Sequence, residues 1–214
     1  MTDRKDIIDG QQAGNRKYGL IYTNKCGWVD LGHANPSGAA RLWLQLLTGN
    51  QTTSKPQFDL SYSQMMGNRW AKVGVIRRYS VNSGLSVDQL KSVALSIFFD
   101  VSHSFETLQG NWLFKHFTNS GYSAEDLVSN LIGFYRAVEP GRDYIRLCDP
   151  VSKDIALAIW DRYGPVGQNK NMTTGPFIYP TTKNAIAGPM CVATPWFLNT
   201  VKPAKQGTLF TGKQ

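Results

Sequence analysis

Residues 86–109 read SVDQLKSVALSIFFDVSHSFETLQ and contain neither proline nor glycine. Ser86 followed by Gln89 is a capping-box signature, in which two side chains satisfy backbone N–H groups that a helix start leaves without partners. The apolar residues Leu90, Val93, Ala94, Ile97, Phe98, Val101, Phe105 and Leu108 then recur at three- and four-residue spacing. The pattern predicts one long central helix over 87–109 with a wide buried face. A helix with so broad an apolar face needs a packing layer, and the flanking sequence supplies it.

Upstream, residues 18–22 (YGLIY) and 27–33 (GWVDLGH) read as short strands joined through 23–26 into a hairpin. Strand alternation puts Trp28, Asp30 and Gly32 on one face and Val29, Leu31 and His33 on the other, so His33 begins on the apolar side. Pro36, Ser37 and Gly38 open a helix with Ala40, Leu42, Trp43, Leu46 and Leu47 on one face, stopped at Gly49 and Asn50. That places His33 just ahead of a helix N-terminus. Residues 58–62 and 71–79 read as two more strands, the second with basic outward positions.

Downstream, residues 123–126 (SAED) are a second capping signature, for a helix with Leu127, Leu131, Phe134, Tyr135 and Val138 inward that ends near Glu139, Pro140 and Gly141. Asp149 and Pro150 predict the N-cap and first turn of a helix reaching Tyr163. From Gly164 the chain is rich in Gly, Pro, Thr and Asn and reads as loops around the core, with one short apolar piece at 195–198. The fold class is α+β, a small antiparallel sheet packed on several helices. The organisation is a flexible polar arm over 1–16 and a single domain over 17–214.

Across 214 residues, 23 Lys and Arg against 15 Asp and Glu give a net charge of +8, which suits an anionic partner such as an envelope polymer. The charge is scattered: Arg77-Arg78 is the sole arginine pair and no run of five basic residues occurs, which argues against nucleic acid. Residues 1–10 hold no apolar core of signal-peptide length, and no segment approaches the ~18 apolar residues of a spanning helix. The expectation is a chain made in the cytoplasm that is not transmembrane. Cys26, Cys148 and Cys191 are an odd set without CxxC spacing, which supports neither a disulfide framework nor a structural zinc knuckle. They read as buried small hydrophobes with one reactive exception, Cys191 being a loop residue tucked under the core.

Two of the three histidines, His33 and His103, are placed where a base can work, whereas His116 reads as a surface residue. On the central helix Ser92, Ser96, Asp100, His103 and Thr107 form a polar stripe with Glu106 beside it. Small polar groups, an Asp and a His suit a cavity better than bulk water, and the plain alternative is a seam satisfied by neighbouring backbone. His103 and Glu106 at i, i+3 can converge on one point, and His33 or Asp30 from the strand would complete a three-ligand zinc site, although no HExxH motif is present. Otherwise no cofactor is expected. Among nucleophiles Cys148 ranks first, because the helix start after it favours a thiolate, then Ser104 or Ser102, then Cys26.

Residues 26–33 (CGWVDLGH), 102–110 (SHSFETLQG) and 123–133 (SAEDLVSNLIG) together resemble the TseH-like antibacterial effectors of type VI secretion, which are related to NlpC-type cysteine peptidases. The resemblance implies a papain-like hydrolase core, circularly permuted in some relatives, with His33 as general base. It implies cleavage of peptidoglycan peptide bonds, delivery into the periplasm of target bacteria, a secretion-apparatus carrier and a cognate immunity protein. The usual Asp-Cys-Ser-Gly nucleophile block is absent, so the nucleophile stays open among Cys148, Ser102 and Ser104, with Asp30 or Glu106 to orient a histidine. Two other readings stand beside it. One is a metal-dependent hydrolase using His33, His103 and Glu106; the other is a non-enzymatic module whose basic surface docks an anionic envelope polymer.

Overall fold

Two short strands, β1 (Leu20–Thr23) and β2 (Gly27–Asp30), pair antiparallel as the expected hairpin, with Tyr22 opposite Trp28. The computed structural model describes residues 3–14, 16–67, 72–110, 125–166, 173–180 and 188–213, without the side chains of 65–67, 72–73 and 103–110. Both faces of the hairpin are covered. Ile21 and Val29 enter the main core, whereas Leu20, Tyr22 and Trp28 join a second cluster with Ile7, Ile159, Trp160 and Tyr179. Trp28 meets Tyr22 and Trp160 edge-on at ring separations of 5.3 and 5.8 Å, contacts that each add about 0.5–1.5 kcal/mol beyond burial.

The main core is built from α1 (Ser37–Thr52), the hairpin β3 (Gln57–Gly67) with β4 (Lys72–Asn82), α2 (Val87–Gly110) and α3 (Asp126–Val138). The α2 capping box forms as predicted, Ser86 and Gln89 exchanging backbone-to-side-chain hydrogen bonds. It is α3, however, that runs through the centre: every residue but Arg136 is buried. The α2 helix is the longer one but keeps Asp88 and Lys91 outside or half-buried. Ser123, expected to cap α3, lies outside the described residues. The short α4 (Tyr144–Leu147) and α5 (Lys153–Tyr163) follow, then a two-stranded sheet of β5 (Phe177–Ile178) and β6 (Met190–Cys191). Finally β7 (Phe210–Lys213) adds to β4, giving the order β3-β4-β7. All the pairings between strands are antiparallel, and the described residues form an α+β fold of small sheets on five α-helices.

Four local expectations are corrected. First, β2 stops at Asp30 and does not run to His33. The Asp30 carboxylate accepts the Gly32 N–H and its carbonyl accepts that of Ala34, folding 31–34 into a turn. Second, the stretch read as a flexible arm is docked where it is described. Ile7 and Ala13 are fully buried, and Ile8 and Gly10 donate backbone hydrogen bonds to Leu20 and Val151. Third, α5 starts at Lys153, because Pro150 is extended and bridges Thr23 while Asp149 before it adopts φ 60°. A residue before proline is disfavoured in the helical region. Fourth, the tail is not all loop, since β7 completes the larger sheet, and Cys191 is exposed, not tucked under the core.

Candidate active site

His33 sits in the 31–34 turn, and α3 fixes that turn with a stripe of four residues. Asp126, Ser129, Gly133 and Arg136 lie three, four and three positions apart, hence on one side of the helix. The Ser129 hydroxyl accepts the Asp30 N–H at 3.0 Å, and Arg136 donates to the Ala34 carbonyl at 2.8 Å. Between them Gly133 leaves the space the turn occupies. A Cβ there would stand 2.9 Å from the His33 carbonyl oxygen and 3.1 Å from that of Asn35. A side chain would therefore push the histidine turn off the helix.

At the start of the stripe, Asp126 Oδ1 faces His33 Nδ1 at 3.7 Å. The Asp126 side chain is 6% exposed and that of His33 32%. His33 Nδ1 is itself buried without a hydrogen-bond partner among the described residues, although about a third of the side chain's surface stays exposed. Nδ1 thus faces a buried carboxylate in a side chain that is partly exposed. At 3.7 Å the pair is beyond hydrogen-bond distance, though catalytic contacts of this kind are commonly long before substrate is bound. Glu125 is buried next to Asp126 in sequence, and both acids benefit from the partial positive charge of the α3 N-terminus. Asn130, one turn into α3, keeps a buried Nδ2 without a partner among the described residues.

The other residues singled out from sequence fall as follows. Asp30 shapes the histidine turn through Gly32 and does not orient the ring. Ser102 is wholly buried on α2, its hydroxyl without a hydrogen-bond partner among the described residues. The side chains of His103, Ser104 and Glu106 lie outside the described residues, although all three positions are on α2. Upstream on the stripe, the Ser96 hydroxyl is within hydrogen-bond distance of the backbone carbonyls of Ser92 and Ala204, as the plain alternative expects, whereas Asp100 is exposed and accepts from the Tyr79 phenol. Among the described residues no three His, Cys, Asp or Glu side chains group as metal ligands. No described helix is long and apolar enough to cross a membrane.

Cys148 does not occupy a helix N-terminus. It is the C-cap residue of α4, fully buried, with its Sγ 2.9 Å from that of Cys26. Burial first, and then the Cys26 thiol, push the Cys148 thiol well up, the direction opposite to that of an activated nucleophile. Its physical case from sequence rested on a helix start that begins at Lys153 instead.

Asp126 was legible only as part of a capping signature. A carboxylate in the first turn of a helix that is almost wholly buried is the feature that separates it from a surface acid. The chain matches no protein-family model, no curated protein and no solved structure.

Proposed function

We propose that the protein is an envelope-directed hydrolase that cleaves amide bonds of peptidoglycan peptides, with His33 as general base and Asp126 as the residue that orients it. The observation that carries this reading is the partly exposed His33 side chain with Nδ1 towards the buried carboxylate of Asp126. In the proposed reaction His33 Nε2 takes the proton of the attacking group as that group adds to the amide carbonyl. It then returns the proton to the leaving amine, and Asp126 stabilises the imidazolium between the two transfers. Ser104 on α2 is the candidate nucleophile that the reading retains. Cys148 carries no part of it.

The net charge of +8 favours an anionic polymer as substrate. The proposed biological setting is that of an antibacterial effector acting in the periplasm of target cells, restrained in its producer by an immunity protein and moved by a secretion-apparatus carrier. Mass spectrometry of peptidoglycan incubated with wild type, His33→Ala and Ser104→Ala tests the chemistry. New peptide-bond products from wild type and none from His33→Ala are expected, with the thermal midpoint of the histidine variant unchanged. Full product from His33→Ala would sink the proposal, and loss of product from wild type on adding chelator would replace it with the zinc-dependent alternative.

A further inference from the structure

Cys26 lies at the turn between β1 and β2, and Cys148 at the end of α4, 122 residues away in sequence, yet their sulfurs are 2.9 Å apart. The backbone around them is clamped independently of the sulfurs. Asn24 N–H donates to the Asp149 carbonyl, Lys25 N–H to that of Cys148, and Val151 N–H to that of Tyr22, at 2.9, 3.1 and 3.0 Å. The Thr23–Pro150 bridge completes this short ladder, and the Cys26 N–H is taken by the Thr23 hydroxyl. Joining the two sulfurs needs them to close by roughly a further 0.9 Å and the Cys148 Sγ to give up its hydrogen bond to the Tyr144 carbonyl, while this ladder already holds the two chain segments side by side.

We propose that Cys26 and Cys148 are a disulfide site, cross-linked when the chain folds in the presence of a disulfide oxidant such as oxidised glutathione. One cysteine thiolate attacks the glutathione disulfide and displaces the first glutathione thiolate. The second cysteine thiolate attacks the mixed disulfide and displaces the other. The cysteine pair gives up two electrons and two protons, and oxidised glutathione becomes two molecules of reduced glutathione.

Burial sets the timing. Cys26 and Cys148 are 1% and 0% exposed, so a dissolved oxidant reaches them before the corner closes and not after. The same burial then shields the bond from reductants. The exposed Cys191 lies on β6 opposite Phe177, whose carbonyl packs against Gly27 beside Cys26, so it is the competing thiol that the peptide map must distinguish. The inference is independent of the hydrolase reading, since it rests on this corner alone.

The test is refolding of the denatured, reduced full-length chain with oxidised and reduced glutathione, followed by alkylation, peptide mapping and thermal melting. The expected product has lost the mass of two hydrogens, yields a linked Cys26–Cys148 peptide pair and leaves one alkylatable thiol, at Cys191. Its melting midpoint rises by about 5–10 °C over the reduced protein, because the closed loop is long. Native reduced protein exposed to the same buffer is expected to oxidise at least tenfold more slowly than the refolding chain. Cys191→Ser should keep the cross-link and the shift, and Cys26→Ser should lose both. Three alkylatable thiols in oxidatively refolded wild type, or a linked pair that includes Cys191 in place of Cys148, would overturn the proposal.

Discussion

At one end of β2 the Cys26 thiol is sealed against Cys148, and beyond the other the His33 side chain stands partly exposed with Nδ1 towards Asp126. A thiol is intrinsically the stronger nucleophile, yet here burial and the neighbouring thiol outweigh what Lys25 offers a negative charge, and water has little access. The imidazole has a carboxylate near Nδ1 and a side chain that solvent partly reaches. Residue type therefore ranks these two sites in one order and surroundings rank them in the other. Access together with a compensating charge decides which end can do proton chemistry.

The sharpest way to break this contrast is Asp126→Asn. If the buried carboxylate orients and stabilises the imidazole, hydrolysis should fall by about a thousandfold with substrate affinity little changed, read from initial rates on peptidoglycan. Gly133→Leu attacks the same end by sterics. With the carbonyls of His33 and Asn35 about where its side chain must go, it should cost about 2–3 kcal/mol in urea unfolding and abolish activity together with stability. Ser129→Ala removes the hydroxyl that accepts the Asp30 N–H and should cost about 1 kcal/mol, with a partial loss of rate as the histidine turn loosens.

The smallest effect is one of pH, away from both ends of β2. Burial pushes the Glu139 carboxyl up, but hydrogen bonds from Lys91 and Tyr144 outweigh it and hold the group below its ordinary value of 4.5. A depressed carboxylate adds stability that is present above that ordinary value and is lost as pH falls through the folded one. Lys91→Met should therefore lower the urea midpoint at pH 7 and leave a flatter loss below pH 4.5 than wild type shows.

The sequence made some of this legible and hid the rest for identifiable reasons. The α2 helix was readable to within a residue because its capping box and apolar spacing are local signals. The hairpin β1–β2 was readable too, although the face that alternation assigned to His33 was not. Asp30 ends the strand by capping its own turn, a competition between side chain and ladder that period-two patterning does not register. The start of α5 failed for a similar reason: Asp149-Pro150 resembles a cap, but Pro150 is used to bridge Thr23. The partner of His33 was out of reach because it comes from α3, and nothing local to either residue says that they meet. The Cys26–Cys148 corner depends likewise on a contact across most of the chain, so spacing rules written for neighbouring cysteines did not find it.

The placement of β7 bears on how the protein is made. Arg78 to Val81 pair with Lys213 to Phe210, so β4 is an interior strand whose second neighbour is synthesised long after it. While a ribosome builds α2, α3 and α5, the nascent β3–β4 hairpin presents an open edge, the surface on which other unfinished chains can pair. Exposed Arg77 and Arg78 on that strand place like charges along the edge during the wait. Closing that edge is then a zipping of four residues that waits until Phe210 to Lys213 have been made, and a chain cut before Phe210 is expected to keep β4 open to pairing with other chains.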